Sequence, residues 1–405
     1  MKLADDRSPV VVVESRLDGF QHGDFNAALL HTVRLAYPET AVLFLGETTQ
    51  LEFVKEKLER TKCLDSIEFE PIRIPASSLS GWNRLSADFA SCAALLRIFA
   101  RRPSRAVVFC SVTAPFVLAL KILMWAKRFT VPTIAILHGE FSVIATRPIT
   151  KRLKWIEQRG AYAFPQPANL RLIVLGDSIL NNLKRCIPVK NSQWASFYLP
   201  YLRPYVELGR AGLTEPDHRH LRFGFVGMSG HTGDKGFDTF VRLANAIAPE
   251  SEACEFVIVG YYNGPADGKP VCPFLRRIPD RPLSQEEFDV GMLELTYVVW
   301  TADPQHYRLT SSATFVDALT YLKPGIYLRN DYIEHYFDRM GDIGYLCDTY
   351  EDMLATIREI VAEFPKERYA QQVENIRKGC VILEPETIAP RLRQILDSCG
   401  PNLKG

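Results

Sequence analysis

The chain has 405 residues, 47% hydrophobic and 23% charged, with a formal net charge of +1. That length exceeds one ordinary core and predicts two domains of about 200 residues each. The composition is that of a globular protein and excludes a disordered or fibrous one. The near-neutral total hides two unequal halves: residues 1–200 hold 26 Lys and Arg against 17 Asp and Glu, and residues 201–405 hold 22 against 30. Such asymmetry predicts different partners for the two halves, or charge complementarity between domains. The nine cysteines are odd in number and form no C-x-x-C pair. They argue for reduced thiols and against a disulfide framework or a structural zinc. The N-terminus shows no apolar run of signal-peptide length, and nowhere do about 18 uncharged apolar residues occur together. A cytoplasmic chain is therefore expected, with peripheral contact at the inner membrane face as the membrane role left open.

In chain order, short β-branched runs fall at 10–14, 41–45, 67–74, 106–110, 133–137 and 172–175, with helical periodicity between them, as at 25–36 and 85–101. Near-continuous apolar strands separated by helices predict a parallel sheet covered on both faces. The region 200–220 carries Pro200, Pro204 and Pro216 and reads as a domain boundary. The plan then repeats, with strands at 223–226, 256–259, 297–300, 326–328 and 344–346 and helices at 237–247, 285–293 and 314–321. After Asp348 the pattern is wholly helical. The expected organisation is an N-terminal Rossmann-like domain over 1–200, a second over 201–385, and a C-terminal helix over 386–405 that packs back on the first. Two doubly wound domains in tandem predict a cleft between the carboxyl ends of their sheets, so the residues just after each strand are the ones to inspect.

The loop after the first strand holds Gly19, His22, Gly23 and Asp24. The glycines let backbone approach a ligand, and His22 and Asp24 are titratable groups at the strand exit, although a plain turn capped by Asp24 reads the same way. The strand at 133–137 runs into His138, Gly139 and Glu140. The ordinary near-neutral pKa of His138 suits proton transfer or a hydrogen bond to a sugar hydroxyl, and Glu140 adds a second base; a loop histidine bonded to backbone is the alternative. Gly176-Asp177-Ser178 reads as a helix cap.

In the second half, residues 227–236 form a glycine-rich strand exit with one cation, Lys235, suited to neutralising a diphosphate leaving group. The Gly-Lys-Ser/Thr order of a Walker A loop is absent. Arg308 precedes Thr310, Ser311, Ser312 and Thr314 at a helix start, where backbone N–H groups and the helix dipole favour an anion. Asp317 follows within one to two turns, in reach of a ribose diol. No Asp-x-Asp and no His/Cys pair at ligand spacing occur. A metal-independent reaction without a cofactor is expected, with a nucleotide-diphosphate sugar as substrate.

These motifs resemble those of the GT-B glycosyltransferases, and within them the family-4-like branch. The strand exit leading to Lys235-Gly236, the strand ending in hydrophobics plus Gly at 256–260, and Asp317-Ala318 with Pro324 carry the resemblance. His138-Gly139 and Tyr198-Leu199-Pro200 are similar to corresponding N-domain segments. The resemblance implies two Rossmann-like doubly wound domains facing each other across a cleft, with a helical C-terminus. It implies transfer of a sugar from a nucleotide-diphosphate donor, with Ser311, Ser312 and Thr314 at the diphosphate and Asp317 at the ribose. The family's acid-x7-acid motif would place its first acid at Leu309, and its Arg before the Lys-Gly is missing. Retention of anomeric configuration is the expected outcome; inversion would instead require a base from Asp24, His22 or Glu140. A sugar-nucleotide epimerase of the same fold and a non-catalytic sugar-nucleotide-binding protein are the alternatives.

Two stretches of the basic half bear on the acceptor. Residues 115–129 are apolar with a basic end, and residues 149–159 are basic and amphipathic with Trp155. Either can rest on an anionic bilayer, or form a core helix with a solvated basic face. A glycan or lipid-linked acceptor is thus an expected partner, in polysaccharide or glycoconjugate synthesis. Nucleic acid is not, since the basic residues lack aromatic interleaving.

Overall fold

The computed structural model describes residues 8–76, 79, 81–139, 141–146, 149–190, 193–202, 219–229, 235–264, 272–275 and 278–399. The chain divides into two compact units. The first comprises Met1–Leu202, Leu309–Ser311 and Ile382–Gly405, and the second Arg203–Arg308 and Ser312–Val381.

The first unit is built on seven strands: β1 (Val10–Glu14), β2 (Val42–Gly46), β3 (Ile67–Pro71), β4 (Ala106–Ser111), β5 (Thr133–Leu137), β6 (Leu170–Val174) and β7 (Trp194–Ser196). Their order is β3-β2-β1-β4-β5-β6-β7, and every pairing is parallel. β1, β2, β4 and β5 are buried throughout, as apolar β-branched runs between two helical layers must be. The chain passes from β1 outward to β2 and β3, then returns to β4 on the other side of β1. The carboxyl ends of β1 and β4 therefore form the topological switch point. The C-terminal helix Pro385–Asp397 lies against Gly23–Ala36 in this unit. Tyr37 holds it there: its hydroxyl donates to Asp397 at 3.2 Å, and its ring is flanked by the guanidinium groups of Arg105 and Arg393 at 4.8 and 5.1 Å.

The second unit carries β8 (Leu221–Ser229), β9 (Cys254–Tyr262), β10 (Tyr297–Trp300), β11 (Gly325–Leu328) and β12 (Gly344–Cys347), ordered β12-β11-β10-β8-β9 and again parallel. An isolated parallel bridge between Leu275 and Phe256 extends the sheet beyond β9. With that bridge counted, the order is that of a Rossmann sheet, and its switch point lies between β8 and β10. Alternate strand residues feed two cores. Phe223, Phe256, Tyr297 and Val299 face one with Phe240 and Tyr369, and Val226, Val259 and Val298 face the other with Met292 and Leu295.

Each unit also buries a lysine at a helix C-terminus. Lys121 Nζ donates to the carbonyls of Ala161, Tyr162 and Phe164 at 2.9–3.0 Å. Lys323 Nζ donates to those of Leu293 and Leu295, both at 2.8 Å. These carbonyls lack intrahelical partners, and the ammonium satisfies them where water cannot reach.

Candidate functional site

At the switch point of the second unit, three elements converge on one glycine. β8 ends near Gly227, whose φ of +99° is closed to ordinary side chains. A Cβ there would lie 2.6 Å from Thr314 Cγ2, so the glycine is what admits Thr314, and Lys235 Nζ stands 3.7 Å from the same point, at ordinary contact distance. Lys235 is held from the other side by Gly236. That residue has φ +71°, and a Cβ on it would come within 1.8 Å of the Thr301 carbonyl. Thr301, just past β10, donates its hydroxyl to the Gly236 carbonyl at 2.7 Å. The Lys-Gly pair thus fastens the start of helix Phe237–Ile247 to the end of β10 and leaves the ammonium beside β8. Burial lowers the pKa of Lys235 from its ordinary value, and the nearby Asp317 carboxylate opposes that shift.

Asp317 stands on helix Ala313–Thr320, whose N-terminus meets Gly227 through Thr314. Ser312 is the N-cap: its Oγ accepts from the Phe315 N–H at 3.2 Å and lies 3.1 Å from Thr314 Oγ1. The Ser312 hydroxyl is therefore engaged in ending the helix, and the residue is buried. Arg308, in the turn His306–Arg308, lies 4.0 Å from Asp331. Leu309, where the family motif would put its first acid, is fully buried. Thr310 and Ser311 group with the first unit, and Thr310 Oγ1 is buried without a hydrogen-bond partner.

In the first unit, His22 and His138 meet at the carboxyl ends of β1 and β5. Their ring centroids are 4.2 Å apart, and the Phe25 and His138 rings stand nearly perpendicular with centroids 4.4 Å apart. His138 Nε2 is 2.9 Å from the Cys110 carbonyl, which only a protonated Nε2 can satisfy as a donor. Desolvation pushes the His138 pKa well below its ordinary value, with the His22 and Arg16 charges adding to the effect. Burial, then Arg16, lowers His22 to about 4. Against the expected near-neutral pKa, burial thus shifts His138 toward its uncharged form, which leaves the hydrogen-bonding role of the two that its position suggested.

His22, with φ 56°, is the N-cap position of helix Gly23–Ala36, so the alternative of a plain cap at Asp24 does not hold. Asp24 sits in the first turn, 2.5 Å from Lys57 Nζ on helix Thr48–Arg60. Gly19 has φ +58° and donates its N–H to Thr49 Oγ1 at 3.1 Å. Its amide is committed to the first turn of helix Thr48–Arg60. Glu140 lies outside the described residues. At the helix start after β6, Gly176 occupies the N-cap position, and Asp177 accepts from Ser196 Oγ at 2.6 Å.

One buried acid escaped the sequence reading. Glu14 closes β1, is fully buried, and accepts from Ser111 Oγ at 2.6 Å, the Arg16 and Leu17 N–H groups at 2.9 and 3.2 Å, and Asn26 Nδ2 at 3.3 Å. Burial raises its pKa and those bonds oppose the rise. It ties the exit of β1 to the exit of β4 and so fixes the loop that carries His22. Among the described residues no three His, Cys, Asp or Glu side chains are gathered as for a metal ion.

No family model and no curated protein matches the chain. Solved structures do. HepE of Anabaena in complex with UDP is 12% identical, with a TM-score of 0.63 over 96% of this chain and 100% of that one. A glycosyltransferase from Rickettsia africae is 10% identical, with a TM-score of 0.66 over 98% of this chain and 99% of that one. WaaG, a glycosyltransferase involved in lipopolysaccharide biosynthesis, is 14% identical, with a TM-score of 0.59 over 96% and 99%. The chain has the GT-B fold. Within that fold the second unit supplies a cation, a helix N-terminus and a carboxylate around one strand exit. The first supplies two desolvated imidazoles around another.

Proposed function

We propose that this GT-B chain is a glycosyltransferase of the family-4-like branch, moving a sugar, in our reading a hexose, from a nucleotide-diphosphate donor to a glycan or lipid-linked acceptor in polysaccharide or glycoconjugate synthesis. The observation that carries the reading is the meeting of Thr314 and Lys235 at Gly227, with the Asp317 carboxylate near enough to Lys235 to oppose the fall of its pKa. A cation and helix N–H groups suit the negative charge that develops on a departing diphosphate, and a carboxylate one turn along suits a ribose diol. HepE, of the same fold, was solved in complex with UDP and with UDP-glucose. Lys235 and the helix amides take the part that a metal ion plays in other sugar transferases, so we assign no metal and no cofactor.

We assign a retaining outcome. An inverting enzyme needs a base for the acceptor hydroxyl. Among the described candidates Asp24 is paired with Lys57, both imidazoles have lowered basicity, and Glu14 is saturated with donors. His138 then acts as a neutral hydrogen-bonding group toward the sugar. Buried Leu309 favours one other reading, a protein that binds a sugar nucleotide without turning it over.

A single assay separates the two. The chain is incubated with UDP-, GDP- and ADP-sugars, and bound nucleotide and released nucleoside diphosphate are measured. Binding with slow release, accelerated by a glycan acceptor, supports transfer, whereas binding without release supports the second reading. His138→Ala should cut transfer by about tenfold or more while leaving nucleotide affinity unchanged, the pattern of a group acting at the sugar. Full transfer by this variant removes His138 from the site.

A further inference from the structure

β8 and β9 end side by side, with Met228 opposite Tyr261 in their register. Val259 packs in the core that includes Ala318, on the helix that carries Asp317, whereas Tyr262 faces the other core. Strand alternation therefore puts Tyr261 on the Val259 side, the side which that helix covers. There the Tyr261 hydroxyl donates to Met228 Sδ at 3.3 Å, and Asn263 Nδ2 donates to the same sulfur at 2.9 Å. A thioether is a weak acceptor for two such donors. Asn263 Oδ1 is buried and among the described residues has no hydrogen-bond partner. Buried amide groups are nearly always paired, so this one calls for a partner that the fold does not supply.

Gly227, beside which the diphosphate is placed, directly precedes Met228. A nucleotide with its phosphates there and its ribose at Asp317 carries its base onto this same side of the sheet. Tyr261 and Asn263 offer that base two donors and one acceptor. The Watson–Crick edge of a pyrimidine returns the complement, two acceptors and one N–H donor: O2, O4 and N3–H in uracil, O2, N3 and N4–H in cytosine. Guanine returns one acceptor and two donors there, and adenine one of each. We propose that Asn263 and Tyr261 read the base and select a pyrimidine nucleoside diphosphate. Met228 offers the ring a polarizable thioether, a favourable neighbour for an aromatic group. The inference rests on the nucleotide-sugar reading and deepens it by naming the class of base.

The test is titration calorimetry of the full chain with UDP, CDP, GDP, ADP and pyrophosphate. The parent should bind UDP or CDP about tenfold or more tighter than GDP and ADP, since a mismatched edge leaves polar groups unpaired. Asn263→Ala should lower pyrimidine nucleotide affinity about tenfold and leave ADP and pyrophosphate at parent affinity. Asn263→Asp exchanges the donor for a second acceptor, which suits the N1–H and N2–H of guanine, so the preference over GDP should narrow or reverse. A purine preference in the parent overturns the proposal, as does a pyrimidine preference that survives Asn263→Ala. Equal loss of all five ligands in that variant would make Asn263 a structural residue and overturn it too. A parent that binds pyrophosphate but discriminates no base leaves the phosphate site standing and overturns the base assignment alone. A parent that binds none of the five overturns the nucleotide-sugar reading together with it.

Discussion

The two units repeat one topology and differ in what they do with charge at the switch point. In the first, β1 ends on a buried carboxylate whose lone pairs are taken up by Ser111, Asn26 and the following backbone, and burial lowers the pKa of the two imidazoles of the same unit. In the second, Gly227 near the end of β8 admits Thr314 from a helix N-terminus, with Lys235 beside it and the Asp317 carboxylate acting on that lysine. The same backbone solution thus yields one site whose charge is consumed by the fold and another whose charge faces the strand exit. The first suits neutral hydroxyl-bearing groups, and the second suits an anion.

The sharpest way to break this contrast is to remove the cation. Lys235→Ala should lower transfer by about 10²–10³-fold, the usual loss when one preorganised stabiliser of developing charge is deleted. Unchanged turnover with unchanged nucleoside diphosphate affinity would show that the second switch point does not handle the phosphates.

The buried lysines sharpen the comparison from the side of stability. Lys121 satisfies three carbonyls and Lys323 two. Methionine at either position keeps the aliphatic stem and strands those acceptors, at about 1–3 kcal/mol for each buried group left unpaired. Thermal or denaturant unfolding should therefore show Lys121→Met to be more damaging than Lys323→Met, by on the order of 1–2 kcal/mol. The reverse order would mean that the second unit depends more on its capped helix than the bond count implies.

Asp317 carries a smaller expected effect. Asp317→Ala should weaken nucleotide binding about tenfold, the loss of a charge-assisted bond to a ribose diol, with little change in unfolding midpoint. Parent-like affinity would detach Asp317 from the ribose and leave it as the electrostatic partner of Lys235.

Much of this was legible before the structure. β1, β5 and β10 and helix Phe237–Ile247 coincide with their sequence patterns, because buried parallel strands write themselves as unbroken apolar runs and the helix has clear periodicity. β7 was not legible: Trp194–Ser196 is three residues long and exists through its pairing with β6. The Lys-Gly turn and Asp317 could be found by spacing, since each depends on its own local segment. Glu14 could not. A glutamate closing a valine run reads as the end of a strand, and its partners Asn26 and Ser111 reach it through the fold. The neutral state of His138 was hidden for the same reason, as His22 and Phe25 come from another strand exit.

The smallest expected effect lies in the pH response, where the first unit should show almost none in activity. With His22 lowered to about 4 and His138 displaced in the same direction, both imidazoles stay uncharged from pH 8 down through pH 6. A transfer rate governed by neutral hydrogen bonding should then be flat across that range. Stability should still respond. In the unfolded chain each histidine takes up a proton near its ordinary pKa of about 6.5, whereas the folded chain resists. The unfolded state therefore binds more protons as pH falls, and the contribution of the pair, complete above about pH 7, is lost progressively toward pH 4. His22→Asn should reduce that acid sensitivity while leaving the flat rate profile in place. A parent rate that falls through a single titration near pH 6.5 would show that one imidazole charges at its ordinary pKa, and the contrast between a neutral first site and a charged second one would fail.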